Sequence, residues 1–178
     1  ENYFRVYLFI EDSAAYQIAE NPEIFYQSAV AFGRFASMIS DFDSSLLFES
    51  IPHFHDTKKR FNDLLNAIEE NKAGRLNEVK AEADFALARK GMTGEIVDKL
   101  ASGEIPSRVT HNDTKLNNVL FDAKTNKALA VIDLDTIMPG STCYDFGDSI
   151  RFGCNTATED EPDLDKVDFS LELFDVYA

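Results

Sequence analysis

Between Arg108 and Asp135 the chain reads RVTHNDTKLNNVLFDAKTNKALAVIDLD. Three short apolar runs are separated by one polar loop and one turn. RVT and NVLFD have the β-branched and aromatic character of short strands, KTNK reads as a turn, and ALAVIDLD is apolar enough to be a buried strand. This texture cannot continue a helix, and it follows a long block with helical period. That block predicts helices over about 22–40, 57–71, 75–90 and 93–102. Pro22 suits the first turn of the first helix, whose stripe is Phe25, Ala29, Phe32, Phe35, Ala36 and Ile39. Asp56 suits the cap of the second, whose apolar face is Phe61, Leu64, Leu65 and Ile68. Gly103 and Pro106 stop the fourth. An alternating FRVYLFI predicts a further strand over 4–10, TIMPGST a loop, CYDFGDSIRFG the start of another helix, and FSLELFDVYA a last one. The fold class this dictates is α+β, mainly helical, with a short β-hairpin region carrying the chemistry.

The chain of 178 residues is long enough for one domain with a sizeable core and marginal for two. Its 15 phenylalanines and absence of tryptophan point to a core of Phe, Leu, Ile and Ala. No apolar run approaches the ~18 residues of a membrane span, and no signal peptide is visible. The formal net charge of −15 repels nucleic acid and anionic membranes, excluding both as expected partners. Such a surface tolerates neutral or cationic small molecules. An ATP enzyme with this balance needs metal ions and a few placed cations to hold phosphates. Cys143 and Cys154 fit no zinc spacing and suit a reducing cytoplasm, the expected localisation. The chain opens without methionine and stops inside a helical pattern, so a fragment lacking both ends is expected.

The polar loop between the strands has the pattern H-x-D-x-x-x-x-N in His111, Asp113 and Asn118, and the next buried strand ends in Asp133 and Asp135. An ordinary turn is the bland reading of those polar residues. The sharper one is phosphoryl transfer, which needs a carboxylate to orient and deprotonate the attacking hydroxyl and oxygen ligands to hold Mg²⁺ on the phosphates. An aspartate and an asparagine five residues apart on one tight loop can serve both ends of that requirement. An aspartate on the neighbouring strand completes the metal site, the logic of the protein-kinase H-R-D and D-F-G segments.

THNDTKLNNVLFD, VIDLDTIMPG and YDFGDSIR, with the helical block that includes IPHFHDT, resemble the aminoglycoside phosphotransferase and choline kinase superfamily, and within it most resemble the bacterial N-acetylhexosamine 1-kinases. The resemblance spans nearly the whole chain but only part of such an enzyme. It implies that residues 1–12 are the last small-lobe strand and the hinge, and that residues 13–178 are a partial kinase-like large lobe, with the small lobe and chain end absent. It implies ATP and Mg²⁺ as cofactors and a sugar acceptor. Asp113 would be the base for the anomeric hydroxyl, Asn118 and Asp133 the metal ligands. Lys115 would neutralise the transferring phosphoryl, or else be a solvent lysine. His111 would brace the loop and Asp145 hold it from behind. The backbone of Phe9, Ile10 and Glu11 would bond adenine, or be an ordinary strand end. The isolated fragment is expected to be inactive, and its oligomeric state stays open.

Two departures from the protein-kinase pattern are visible. Asn112 replaces the arginine of H-R-D, so the loop is not built for activation by a phosphorylated segment. IDLD replaces D-F-G and adds Asp135, which either accepts sugar hydroxyls or is merely solvated. Asp148 and Arg151 either bind sugar or form an ion pair, the ion pair being favoured. His53 and His55 lack a third ligand nearby and read as loop hydrogen-bonders. The acidic tail EDEPDLD lacks calcium-loop spacing and reads as solvated surface. Some relatives have carried the label mucin desulfatase, but no Cys or Ser here begins the C/S-x-P-x-R segment a sulfatase needs. The remaining alternatives are an aminoglycoside or choline kinase and a non-catalytic kinase-like binding protein.

Overall fold

A computed structural model describes residues 4–178; residues 1–3, the start of the expected segment 1–12, lie outside the described residues. Helix α1 (Pro22–Met38) begins where Asn21 accepts the Ile24 N–H and Pro22 occupies the first turn. It buries Ile24, Phe25, Ser28, Ala31 and Phe32; of the expected stripe, Phe25 and Phe32 are buried and Ala29, Phe35, Ala36 and Ile39 half-buried. Helix α2 (Thr57–Glu70) is capped by Asp56 and ends on Asn71 in the left-handed region. The expected third helix is split: a 3₁₀ turn over Leu76–Val79, whose first N–H donates to Asn71 Oδ1, precedes α3 (Lys80–Leu87), which has no side-chain cap of its own. Helix α4 (Glu95–Ser102) stops at Gly103, which takes φ +76°.

The β structure is two small antiparallel sheets. β1 (Ser13–Ala14) pairs with β3 (Val119–Asp122), which pairs with β4 (Ala128–Val131). The β3–β4 turn is tied by Asp122, whose Oδ1 accepts the N–H groups of Lys124 and Thr125. β2 (Arg108–Thr110) pairs with β5 (Met138–Gly140). That last strand falls inside the segment expected to be a loop. Pro139 is tolerated there because β5 has one partner and no second ladder to lose.

The strand expected over 4–10 does not form. Those residues carry the right alternation, but no described strand lies beside them to complete a ladder, and Phe4, Val6, Leu8 and Phe9 stay exposed. Pairing starts only at Ser13.

Helix α5 (Thr142–Gly153) is capped by Ser141, and α6 (Leu171–Tyr177) by Ser170. The core joins Ile24, Phe25, Ala31 and Phe32 of α1 to Leu116, Val119 and Phe121 and to Phe152 and Cys154 at the end of α5. α1 therefore lies against the hairpin on one side and α6 on the other. Gly153 sits directly on the Phe25 ring, with no room for a Cβ. This packing brings the loop between β2 and β3 over the start of α5.

Candidate active site

The loop from His111 to Asn118 is built on a folded network of its own side chains. Asn112 takes φ +65°, a conformation asparagine tolerates better than most residues. Its amide donates to the Thr136 carbonyl at 2.9 Å and accepts from the Thr110 hydroxyl at 3.0 Å, which ties β2 to the start of β5. Thr136 returns a hydroxyl bond to the His111 carbonyl at 2.7 Å.

From α5, the Asp145 carboxylate accepts the His111 N–H at 3.0 Å and the Asn112 N–H at 2.7 Å, one on each oxygen. Its own carbonyl accepts the Thr114 hydroxyl. Burial pushes the Asp145 carboxyl up from its usual range, and the two amide hydrogen bonds oppose that push.

His111 is fully buried, with Phe32 and Phe35 edge-on to its ring. Nε2 lies 2.9 Å from the Ile132 carbonyl and Nδ1 accepts the Asp113 N–H at 3.3 Å, so the ring hydrogen belongs on Nε2. Ile132 in turn donates its N–H to the Asn118 carbonyl at 2.9 Å. Both backbone groups of Ile132 are thus held by the loop, and its neighbour Asp133, at φ +59° with an exposed side chain, is fixed beside it.

Asn118 is buried, and its amide nitrogen donates to both the backbone carbonyl (2.7 Å) and the Oδ2 (2.9 Å) of Asp113. The reverse amide orientation would set oxygen against two oxygens, so the assignment is secure on electrostatic grounds. It leaves Asn118 Oδ1 accepting no hydrogen bond among the described residues. The Asp113 carboxylate keeps Oδ1 available, with the Lys115 ammonium 3.6 Å away. Among the described residues no three His, Cys, Asp or Glu side chains cluster as a metal cage. Asn118 and Asp133 offer one amide and one carboxylate oxygen. That donor set fits Mg²⁺, which takes its other ligands from phosphates and water.

A cavity of about 1060 Å³ lies on the Asp133 side and is lined by Phe9, Ile10, Leu120, Val131, Asp133 and Asp135 among others. Glu11 does not line it. Arg5 reaches across to pair with Asp135. On the other side of the loop, Asp148 Oδ1 receives two hydrogen bonds from Arg151, at 3.0 and 2.8 Å, forming the ion pair. His53 bonds Asp56 at 3.1 Å, while His55 stacks on Tyr144, and burial pushes its pKa down.

The structure adds residues that periodicity and motif did not single out. Thr110, Thr114 and Thr136 brace the loop, and no spacing pattern marks them. Ser149 donates to the Thr114 carbonyl at 3.0 Å and receives the Tyr177 hydroxyl at 2.6 Å, linking α6 to the loop. Glu159, from the tail expected to be solvated, lies 3.2 Å from Lys115 and 2.9 Å from Arg151. Burial disfavours the Lys115 ammonium, but the Glu159 hydrogen bond and the charges of Asp113, Glu159 and Asp148 outweigh it and hold its pKa above the ordinary lysine value.

A braced carboxylate, an asparagine clamped to it and an aspartate two residues past β4, at the head of a 3₁₀ turn, are parts phosphoryl transfer can use. Residues 1–173 match the family model described as the phosphotransferase enzyme family, abbreviated APH. The chain belongs to the phosphotransferase enzyme family. Membership implies phosphotransferase activity. No helix among the described residues of this phosphotransferase-family chain is long and apolar enough to cross a membrane.

Proposed function

We propose that the chain is part of an ATP- and Mg²⁺-dependent small-molecule kinase that phosphorylates the anomeric hydroxyl of an N-acetylhexosamine, N-acetylglucosamine or N-acetylgalactosamine. The observation that carries this reading is the Asp113–Asn118 clamp: a half-buried carboxylate with one oxygen tied to an amide and the other open. Asp113 accepts the proton of the acceptor hydroxyl as that oxygen bonds to the γ-phosphorus. The bond from the γ-phosphorus to the β–γ bridging oxygen breaks, and ADP leaves with the electron pair. Asn118 and Asp133 would hold Mg²⁺, which when bound neutralises charge on the phosphates. Lys115 neutralises the phosphoryl group in flight, and His111 and Asp145 keep the loop rigid, so that catalysis is mostly positioning and charge.

In this reading residues 1–12 end a small lobe and form the hinge, and residues 13–178 are part of the large lobe. The cavity along Phe9 and Ile10 takes the nucleotide, its adenine bonding the backbone of Phe9 and Ile10, with Glu11 following them outside the cavity lining. Asp135, Asp148 and Arg151 are the polar groups proposed for the acceptor, though each already has an ionic partner. The wording of the motifs HNDTKLNN and IDLDTIMPG favours the sugar. The net charge of −15 supports a second reading, in which the acceptor is a cationic alcohol such as an aminoglycoside or choline. Two free cysteines, Cys143 and Cys154, support a cytoplasmic setting.

The test is Mg²⁺-dependent ATP consumption by the full-length protein against N-acetylglucosamine, N-acetylgalactosamine, choline and kanamycin. Turnover of an N-acetylhexosamine with an anomeric phosphate in the phosphorus NMR spectrum supports the sugar reading. Turnover of choline or kanamycin alone replaces the acceptor and keeps the mechanism. No turnover of any of the four, with ATP still bound, favours a non-catalytic kinase-like protein.

A further inference from the structure

We propose that Glu159 is a positioning residue for phosphoryl transfer, holding the Lys115 ammonium at a fixed distance from the Asp113 carboxylate. The inference rests on the role of Lys115 proposed above. Lys115 lies two residues after Asp113, and its long side chain would otherwise be free to fold back on that carboxylate. Instead the ammonium sits between two acids, 3.2 Å from Glu159 Oε2 and 3.6 Å from Asp113 Oδ1. The nearer partner is not the base but a glutamate some forty residues further along the chain.

Glu159 is itself held from two directions. Its second oxygen, Oε1, takes Arg151 Nη1 at 2.9 Å, while Arg151 gives its remaining edge to Asp148. A guanidinium locked on both sides is a rigid mount for a carboxylate. The loop that carries Glu159 is also closed at its base. Asn155 bridges Phe169, the Thr156 N–H donates to the Asp168 carbonyl at 3.1 Å, and the Asp168 N–H donates to the Thr156 hydroxyl at 2.9 Å. Below that neck, the Ser170 N–H donates to the carbonyl of buried Cys154 at the end of α5. The glutamate is therefore carried by a loop tied to the same helix that supplies Asp145.

The physical consequence concerns charge. Without Glu159, the ammonium's best neighbour is Asp113, and a direct pair would tie up the oxygen the acceptor proton needs. It would also draw the cation away from the transferring phosphoryl. With Glu159 in place, the ammonium is partly buried and held nearer to Glu159 than to the base before substrate arrives.

The experiment uses the full-length protein in five forms: wild type, Glu159→Gln, Lys115→Met, the double variant and an Asp113→Asn control. The readouts are phosphoryl transfer from Mg-ATP to N-acetylglucosamine and, independent of any acceptor, slow hydrolysis of Mg-ATP to water. Glu159→Gln should lower kcat about tenfold and Lys115→Met about a hundredfold, with the KM for ATP within about twofold in Glu159→Gln. The double variant should be no slower than Lys115→Met alone, because the glutamate then has nothing to position. Half-exposed ion pairs contribute little to stability, so Tm should shift by less than about 3 °C. An unchanged kcat in Glu159→Gln, or effects that multiply in the double variant, would overturn the inference while the kinase reading stands. A harmless Lys115→Met also overturns it. Full activity in an Asp113→Asn control would remove the kinase reading itself.

Discussion

Asp113 takes two hydrogen bonds from the Asn118 amide, one on its carbonyl and one on Oδ2. Asp113→Asn removes the proton acceptor and keeps the shape, so kcat should fall by about 10²–10⁴-fold with Tm nearly unchanged; steady-state kinetics and a thermal melt check it together. Asp145→Asn tests the brace behind the loop. An amide offers one oxygen where the carboxylate gave two, so either the His111 or the Asn112 N–H faces a donor. The expected cost is about 1–3 kcal/mol in urea unfolding, with catalysis damaged as well because the loop carries Asp113. At this scale the layout of the loop was legible in the sequence: His111, Asp113, Asn118 and Asp133, the residues proposed for the site, lie close enough along the chain for spacing to mark them. Thr136, Ser149 and Glu159 were not. Each reaches the loop from another element, and a single threonine, serine or glutamate carries no periodic signal.

Helix α5 does two jobs, offering Asp145 to the loop at its first turn and burying its last turn on α1. The second depends on Gly153 meeting the Phe25 ring. Gly153→Ala should destabilise by about 1–3 kcal/mol, seen as a lower urea midpoint at unchanged m value, since a methyl there forces α5 off α1. Helices with a strong apolar stripe and a cap were readable to within a residue or two, as α1 and α2 show. Short strands were readable where the residues themselves have strand character, as in β2 and the β3–β4 hairpin. β5 was missed because Met138–Gly140 has no strand pattern of its own and pairs with β2 across nearly thirty residues. Residues 4–10 were misread for the opposite reason, a strand pattern with no described neighbour to accept it.

Across the whole molecule, α6 closes a chain of hydrogen bonds running from Tyr177 through Ser149 to the Thr114 carbonyl in the loop. Burial pushes the Tyr177 phenol from 10.0 up to about 12. The folded state therefore binds the proton more tightly than the unfolded chain, and stability present below pH 10 is lost as pH rises toward 12. The size is about 2–3 kcal/mol across that window. Tyr177→Phe should flatten that part of the alkaline stability curve, while retaining the packing against Phe25; urea titrations of both forms at pH 9 to 12 would show it. By itself, the sequence determined what is local: the amphipathic helices, the hairpin, and the H-x-D-x-x-x-x-N loop with its strand-end aspartate, because hydrophobic period, caps and short spacings act over a few residues. Only the tertiary structure decided which elements meet. It set which N–H groups Asp145 receives behind the loop, placed Ile132 between His111 and Asn118, and brought Glu159 against Lys115, since contacts between distant segments follow from the packing of whole helices and strands around a shared core.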